Sequence, residues 1–164
     1  MIKAQPHLIA VALFVRDLLD YDEQLIKFDR RNIISSDFAT SYIVVNGSLP
    51  QSVLARGQRF NGDVEVMTYT AAVSHSIVLE FYGDNAYTNA ESFLMLSESQ
   101  LANELRRKNA LTIMSVSNIT DVGQLLGQSH GNRVHLSFNV QYAPARGVQT
   151  LRIDTPQFQF LEDK

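Results

Sequence analysis

Between Val73 and Asn109 the chain changes period, and this switch limits its fold more than any other feature. From Val73 to Tyr82 the residues alternate. Val73, His75, Ile77, Leu79 and Phe81 share one face, and Ser74, Ser76, Val78, Glu80 and Tyr82 share the other. Gly83 ends the run, and a helical pattern begins within a few residues. A second run, Arg133–Tyr142, alternates most cleanly of all: Val134, Leu136, Phe138, Val140 and Tyr142 point inward, and Arg133, His135, Ser137, Asn139 and Gln141 point outward. Period two with one polar face predicts an antiparallel sheet open on one side.

The remaining elements fit the same unit. Leu8, Val11, Ala12, Val15, Leu18 and Leu19 fall at helical spacing and predict a helix from Pro6 to Asp20, with Ile9, Leu13 and Phe14 outside the stripe. Those extra apolar residues fit either a helix packed on two sides of its own core or one that meets a neighbouring subunit. Leu25–Phe28 is a short β-like run, Asp29–Asp37 is polar and irregular, and Ser41–Asn46 is a strand. Asn46-Gly47 and Asn61-Gly62 are turn signals, and Pro50 marks a break. Between them Gln51–Asp63 alternates weakly, so residues 46–63 are expected to form an extended hairpin arm with little core of its own. Val64–Tyr82 is long for one strand, and a bend or bulge is expected at Thr70–Ala72.

Asp84 or Asn85 is expected to cap a helix whose inner stripe is Ala86, Ala90, Phe93 and Leu94. Ser97-x-x-Gln100 matches a capping box and predicts a restart, with Leu101 and Leu105 continuing the apolar face. Arg106, Arg107 and Lys108 crowd the last turn, where the helix dipole favours cations, and Asn109 is expected to stop the helix in the left-handed conformation. Leu111–Val116 is a strand, Asp121–Leu126 a short helical or turn segment, and Gln128–Asn132 a polar loop. Pro144 and Gly147 break the next strand, and Val148–Ile153 and Gln157–Leu161 are short strands or an extended tail. The order αβββαββ lacks regular βαβ alternation. The expected fold is therefore α+β: a mostly antiparallel sheet packed against two or three helices, in one domain over residues 1–164.

The residues offer little chemistry. Without cysteine, disulfides and thiol catalysis are excluded. The four histidines lie on different elements without metal-ligand spacing. His75 reads as a satisfied core histidine, and His130 and His135 could meet across a turn with no carboxylate in register. Asp17, Asp20, Asp22 and Glu23 read as a solvated helix end. No phosphate loop, dinucleotide fingerprint or nucleophile elbow occurs, and no catalytic, cofactor-binding or metal residue is assigned. The net charge of -3 lacks the basic footprint of a sequence-reading DNA binder. Lys3 precedes the apolar run Leu8–Val15, but Arg16 and Asp17 follow directly, so neither a signal peptide nor a membrane anchor is expected. Charged residues make up 19% of the chain against a typical ~25%, as in proteins that hide surface in contacts. Arg56 and Arg59 flank Gly57 with Phe60 beside them, which reads as a contact loop or as an exposed hairpin. With Arg106, Arg107 and Arg133 they are the candidate contact residues.

The order of features resembles the tail-terminator or neck-terminator proteins of tailed bacteriophages. The likeness rests on the Tyr-Ile-Val-Val strand, the long strand ending Phe81-Tyr82-Gly83, and Asp84-Asn85-Ala86 opening a helix. It continues through Asn118–Val122, Leu125-Leu126-Gly127 and Arg133 with the strand HLSFNVQY, and covers Leu25–Ile153. Two features depart from the resemblance: Ile33–Thr40 has no proline, and the extension 154–164 is not matched to the family pattern. The resemblance implies a structural virion protein without enzymatic activity or cofactor, assembled in the host cytoplasm. It implies a ring, usually hexameric, that caps the tail tube and joins it to the neck or head connector. DNA would pass through the lumen without sequence-specific binding. Alternatives are a head-completion or tail-tube protein of the same particle, or a small enzyme with a non-motif site.

Overall fold

One long strand, Val66–Tyr82, organises the fold. The computed structural model describes residues 6–28, 41–47, 52–126 and 129–150. Along the chain run α1 (Pro6–Leu19), a single 3-10 turn (Glu23–Leu25), β1 (Ile26–Phe28), β2 (Tyr42–Gly47), β3 (Ser52–Asn61) and β4 (Val66–Tyr82). Then come α2 (Ala86–Leu96), α3 (Gln100–Lys108), β5 (Thr112–Met114), β6 (Thr120–Asp121), β7 (Gln124–Leu126), β8 (Ser129–Gly131), β9 (Arg133–Tyr142) and β10 (Ala145–Gln149). The 17 residues of β4 span roughly 55 Å at ~3.3 Å per residue. One edge pairs with β2 over Ile77–Tyr82 and with β3 over Val66–Ser74. The other pairs with β9 over Val73–Tyr82 and with β10 over Val66–Thr70. With β1, β5 and β6 this gives an eight-stranded sheet among the described residues, and β7 and β8 form a separate pair. All its pairings are antiparallel except β1 with β2. The fold is the α+β class that the alternation predicts.

The helices cover one face of the C-terminal half of β4. Ile77, Leu79, Phe81, Leu136, Phe138 and Phe93, the expected core, are all at most 1% exposed. The Phe93 ring stacks on Phe138 with centroids 5.8 Å apart and meets Phe14 edge-on at 6.2 Å. Phe14 therefore belongs to the centre of the core, not outside the stripe, while Leu8 and Leu19 are only partly buried. The buried stripe of α1 runs through His7, Val11, Phe14, Val15 and Leu18, rotated from the expected one by the demand of the Phe93 ring.

Other expectations change in detail. The restart after α2 is capped by Ser99, whose hydroxyl accepts from the Ala102 amide, while Ser97 closes α2 by donating to the Leu94 carbonyl. Leu101 faces solvent, and Ala102 and Leu105 carry the buried face of α3. The left-handed residue after α3 is Ala110 (φ 51°), not Asn109 (φ -95°). The Leu111 and Ala110 amides then donate to the Arg106 and Arg107 carbonyls, closing the last turn. Asp20 (φ 49°) ends α1 in the same way, with the Tyr21 amide donating to the Arg16 carbonyl. Asp121–Leu126 holds strand pairings where a helical or turn segment was expected, and Ser129–Gly131 pairs with Gln124–Leu126 instead of looping. Gly147 lies inside β10, so only Ala143-Pro144 separates β9 from the next strand. The polar segment Asp29–Asp37, Pro50, residues 151–153 of the run Val148–Ile153, and Gln157–Leu161 lie outside the described residues.

Asn46-Gly47 is no turn either. Both residues pair with β4, and a Cβ on Gly47 would come within 2.5 Å of the His75 ring. The glycine is used for close approach, not for turning. The expected bulge lies on β3 instead of Thr70–Ala72: Val53 faces Val73 and Ala55 faces Ala72, leaving Leu54 as the extra residue.

Truncating Phe138 to alanine removes the ring against which Phe93 stacks. Phe138→Ala is expected to lower unfolding free energy by about 3–5 kcal/mol in urea titration. A loss below about 1 kcal/mol would contradict the assigned core.

Candidate assembly surfaces

The sheet leaves its helices behind at the N-terminal half of β4. There β3, Val66–Ser74 of β4 and β10 form a three-stranded ribbon, joined at its tip by the loop 62–65, where the Asp63 amide donates to the Asn61 side chain. All ten residues of β3 are exposed, including Arg56, Arg59 and Phe60. Of eleven large apolar side chains exposed among the described residues, six (Val53, Leu54, Phe60, Val64, Tyr69, Val148) lie on this ribbon, so the apolar surface is concentrated there. The arm expected at 46–63 is thus one strand of a hairpin whose other strand is β4. Register sets Phe60, Met67 and Val148 in one cross-strand row and Gln58, Tyr69 and Arg146 in another. Alternation puts both rows, and Arg56 beside Ala71, on the face of β4 that carries Val73 and His75 further along.

Arg106 and Arg107 sit elsewhere, in the last turn of α3. Arg107 is exposed. Arg106 folds back: its Nη2 donates to the Ser97 carbonyl at 2.5 Å and lies 3.5 Å from Glu98, tying α3 to the end of α2. Lys108 reaches Asp17 at 3.0 Å, and Arg16 reaches the same carboxylate at 2.7 Å. The bond from Lys108 leads in holding the Asp17 carboxyl below its usual range. Asp17 is therefore a link between α1 and α3, not part of a solvated helix end, while Asp22 caps the 3-10 turn by accepting from the Gln24 amide.

Arg133 lies on the opposite face of the sheet, in a polar cluster around Glu80, which is 0% exposed. Its Nη2 donates to Glu80 Oε2 at 3.0 Å, the Tyr82 hydroxyl donates to the same oxygen at 2.6 Å, and Asn46 Nδ2 donates to Oε1 at 2.5 Å. His135 Nε2 stands 3.6 Å away. Tyr42 stacks on Tyr82 at 4.6 Å, and the Arg133 guanidinium sits 5.5 Å over the Tyr82 ring. Burial and then donation to Glu80 raise the Tyr82 hydroxyl well above the usual tyrosine range. The cluster follows from register, because the rows Tyr42–Tyr82–Arg133 and Val44–Glu80–His135 are neighbours on one face. The six candidate contact residues therefore fall in three separate places: the arm, the end of α3 and this cluster.

Sequence reading missed a fourth feature. His7 Nε2 lies 2.7 Å from His75 Nδ1, both rings are buried, and His7 stacks on Tyr142 at 4.3 Å. The pair joins residues 68 apart in sequence, and only the apolar neighbours of His75 hinted that its polar atoms need an internal partner. Beside it opens a cleft of about 560 Å³ between Pro6, His7 and Ala10 of α1, Asn109–Leu111 after α3, and Tyr142–Pro144. Burial first, then the neighbouring His75, lowers the His7 pKa from 6.5.

Residues 9–164 match the sequence family described as phage neck terminator protein. The match runs past both ends of the stretch 25–153 and includes 154–164. No curated protein matches the chain. No described helix is long and apolar enough to cross a membrane.

Two measurements probe these clusters. Arg133→Ala takes the neutralising guanidinium from a buried carboxylate and is expected to cost about 3–5 kcal/mol of stability, most of it recovered when Glu80→Gln is added. An unaffected melt would show that Arg133 does not hold Glu80. For His7 the neutral form is the folded one, so its stabilisation is complete above pH 6.5 and is lost as pH falls through the lowered folded value. The unfolding free energy should fall as pH drops below 6.5, by at most about 1.4 kcal/mol per pH unit, and His7→Gln should flatten that slope.

Proposed function

We propose that this chain, which belongs to the phage neck terminator family, closes a six-membered ring that caps the tail tube and joins it to the head connector. The family is structural and non-enzymatic, and the chain is a component of the virion neck or tail. Ring closure in the host cytoplasm is the whole of its mechanism: a rotation that closes stops growth, whereas an open helical contact continues it. The lumen passes DNA without reading its sequence, and a net charge of -3 suits a wall that does not hold phosphate.

The observation that carries this reading is the arm. A strand of ten exposed residues, with no described helix over it and six large apolar side chains in view on its ribbon, suits burial in a partner. Arg56, Arg59 and Phe60 supply contacts there, and Arg106, Arg107 and Arg133 are proposed contacts on the body, the last through the edge of the Glu80 cluster. A stable interface of this kind buries ~1,200–2,000 Å² or more.

Deleting Gln51–Gly62 removes no core residue, so the variant should fold and remain a monomer by mass measurement, while the intact protein, alone or with tail tubes, gives rings of fixed subunit number. Particles made without the protein should have tails of uncontrolled length or tails unable to join heads. Normal attached tails would reject the terminator reading, and open filaments of the purified protein would make it a tube-forming one.

A further inference from the structure

A ring built by rotation needs two different surfaces on each subunit, one complementary to the other. The described residues expose two apolar patches of opposite charge. The first is the face of the arm shared by Phe60, Met67, Tyr69 and Val148, with Arg56 and Arg146 among them. The acids of the arm, Asp63 and Glu65, lie in its tip loop, so the stem is basic. At the base this face runs into the cleft between Pro6, Ala10 and Tyr142, making a corner rather than a plane.

The second patch is the turn between α2 and α3. Tyr87, Glu91 and Met95 lie four residues apart on one stripe of α2, all exposed, with Met95 at 69%. Across the turn Leu101 is exposed beside Glu104, and Glu98 adds a third carboxylate, 3.5 Å from Arg106. This knob is acidic and apolar where the arm corner is basic and apolar. It stands at the N-terminal end of α3 and the cleft at the C-terminal end, so one chain presents both without either blocking the other.

We propose that the arm corner of one subunit receives the α2–α3 turn of the next copy of this chain. The inference rests on the ring reading above. Met95 and Leu101 meet Phe60, Tyr69 and Val148 at the centre, and Glu91 and Glu104 face Arg146 and Arg56 at the rim. Aromatic, methionine and arginine side chains are those that concentrate binding energy at interface centres. Opposite rim charges fix which neighbour docks and in which orientation.

The test reverses each rim separately in the full chain, as Arg56→Glu with Arg146→Glu, and as Glu91→Arg with Glu104→Arg. All four residues are exposed, so both variants should melt like the wild type. Sedimentation and mass measurement across a concentration series should show each variant alone needing about a hundredfold more protein to assemble. An equimolar mixture should assemble again, with the two variants alternating, and so should the chain carrying all four changes. Rings that tolerate either reversal, or a mixture that does not recover, overturn this contact and leave the ring reading standing. Reversals that spare self-assembly but abolish binding to tail tubes also overturn it, and assign the arm to the tube. A wild type that stays monomeric at every concentration and with tail tubes defeats both.

Discussion

The hydrogen-bond ladder of β4 is the constraint on which the other elements depend. A strand of this length has two rows of backbone donors and acceptors to satisfy, and four different strands share the task. The partners change near the same point on both edges, where β2 gives way to β3 and β9 to β10. Beyond that point the core stops, because the helices contribute Phe14, Phe93 and Leu105 only over the C-terminal half. The arm is therefore held by backbone pairing and small side-chain rows, and a bare ribbon of this kind is marginal in water. Its link to a well-packed half gives it a fixed place.

Two buried polar groups on opposite faces of β4 oppose any slip of that ladder. Moving β4 by one residue would turn Glu80 toward Phe93 and Phe138 and take it from Arg133 on β9 and Asn46 on β2. The same slip would pull His75 from His7 and from the space that Gly47 leaves for it. Apolar packing alone would tolerate several registers of Val, Ile and Leu far better than these groups do. The polar residues thus contribute specificity where the phenylalanines contribute stability.

Much of this was legible in the sequence, for identifiable reasons. β9 and the C-terminal half of β4 were readable because a half-buried antiparallel strand writes its faces directly as alternation. The buried stripe of α1 was misplaced because Phe14 is chosen by a ring 79 residues away, which local periodicity does not record. Asn46-Gly47 misled because the glycine serves the His75 ring, a tertiary reason that outweighs turn propensity. The Ala110 end of α3 was hidden because an alanine accepts a left-handed conformation only when the following strand demands it. At the surfaces, Arg56, Arg59 and Phe60 stood out by composition, but Arg146 and Val148 join them only through the pairing of β10 with β4. Arg133 looked like an exposed cation until Glu80 was placed beside it.

No glycine, proline or loop interrupts β4 between the arm and the core. The arm consequently has no hinge, and its angle to the body is settled when the chain folds, before any neighbour arrives. In a closed assembly the angle between successive subunits compounds around the circle, so an error of a few degrees per copy would leave a gap or an overlap. In the ring proposed above, a continuous strand works as a protractor, carrying the curvature of the whole assembly inside one molecule.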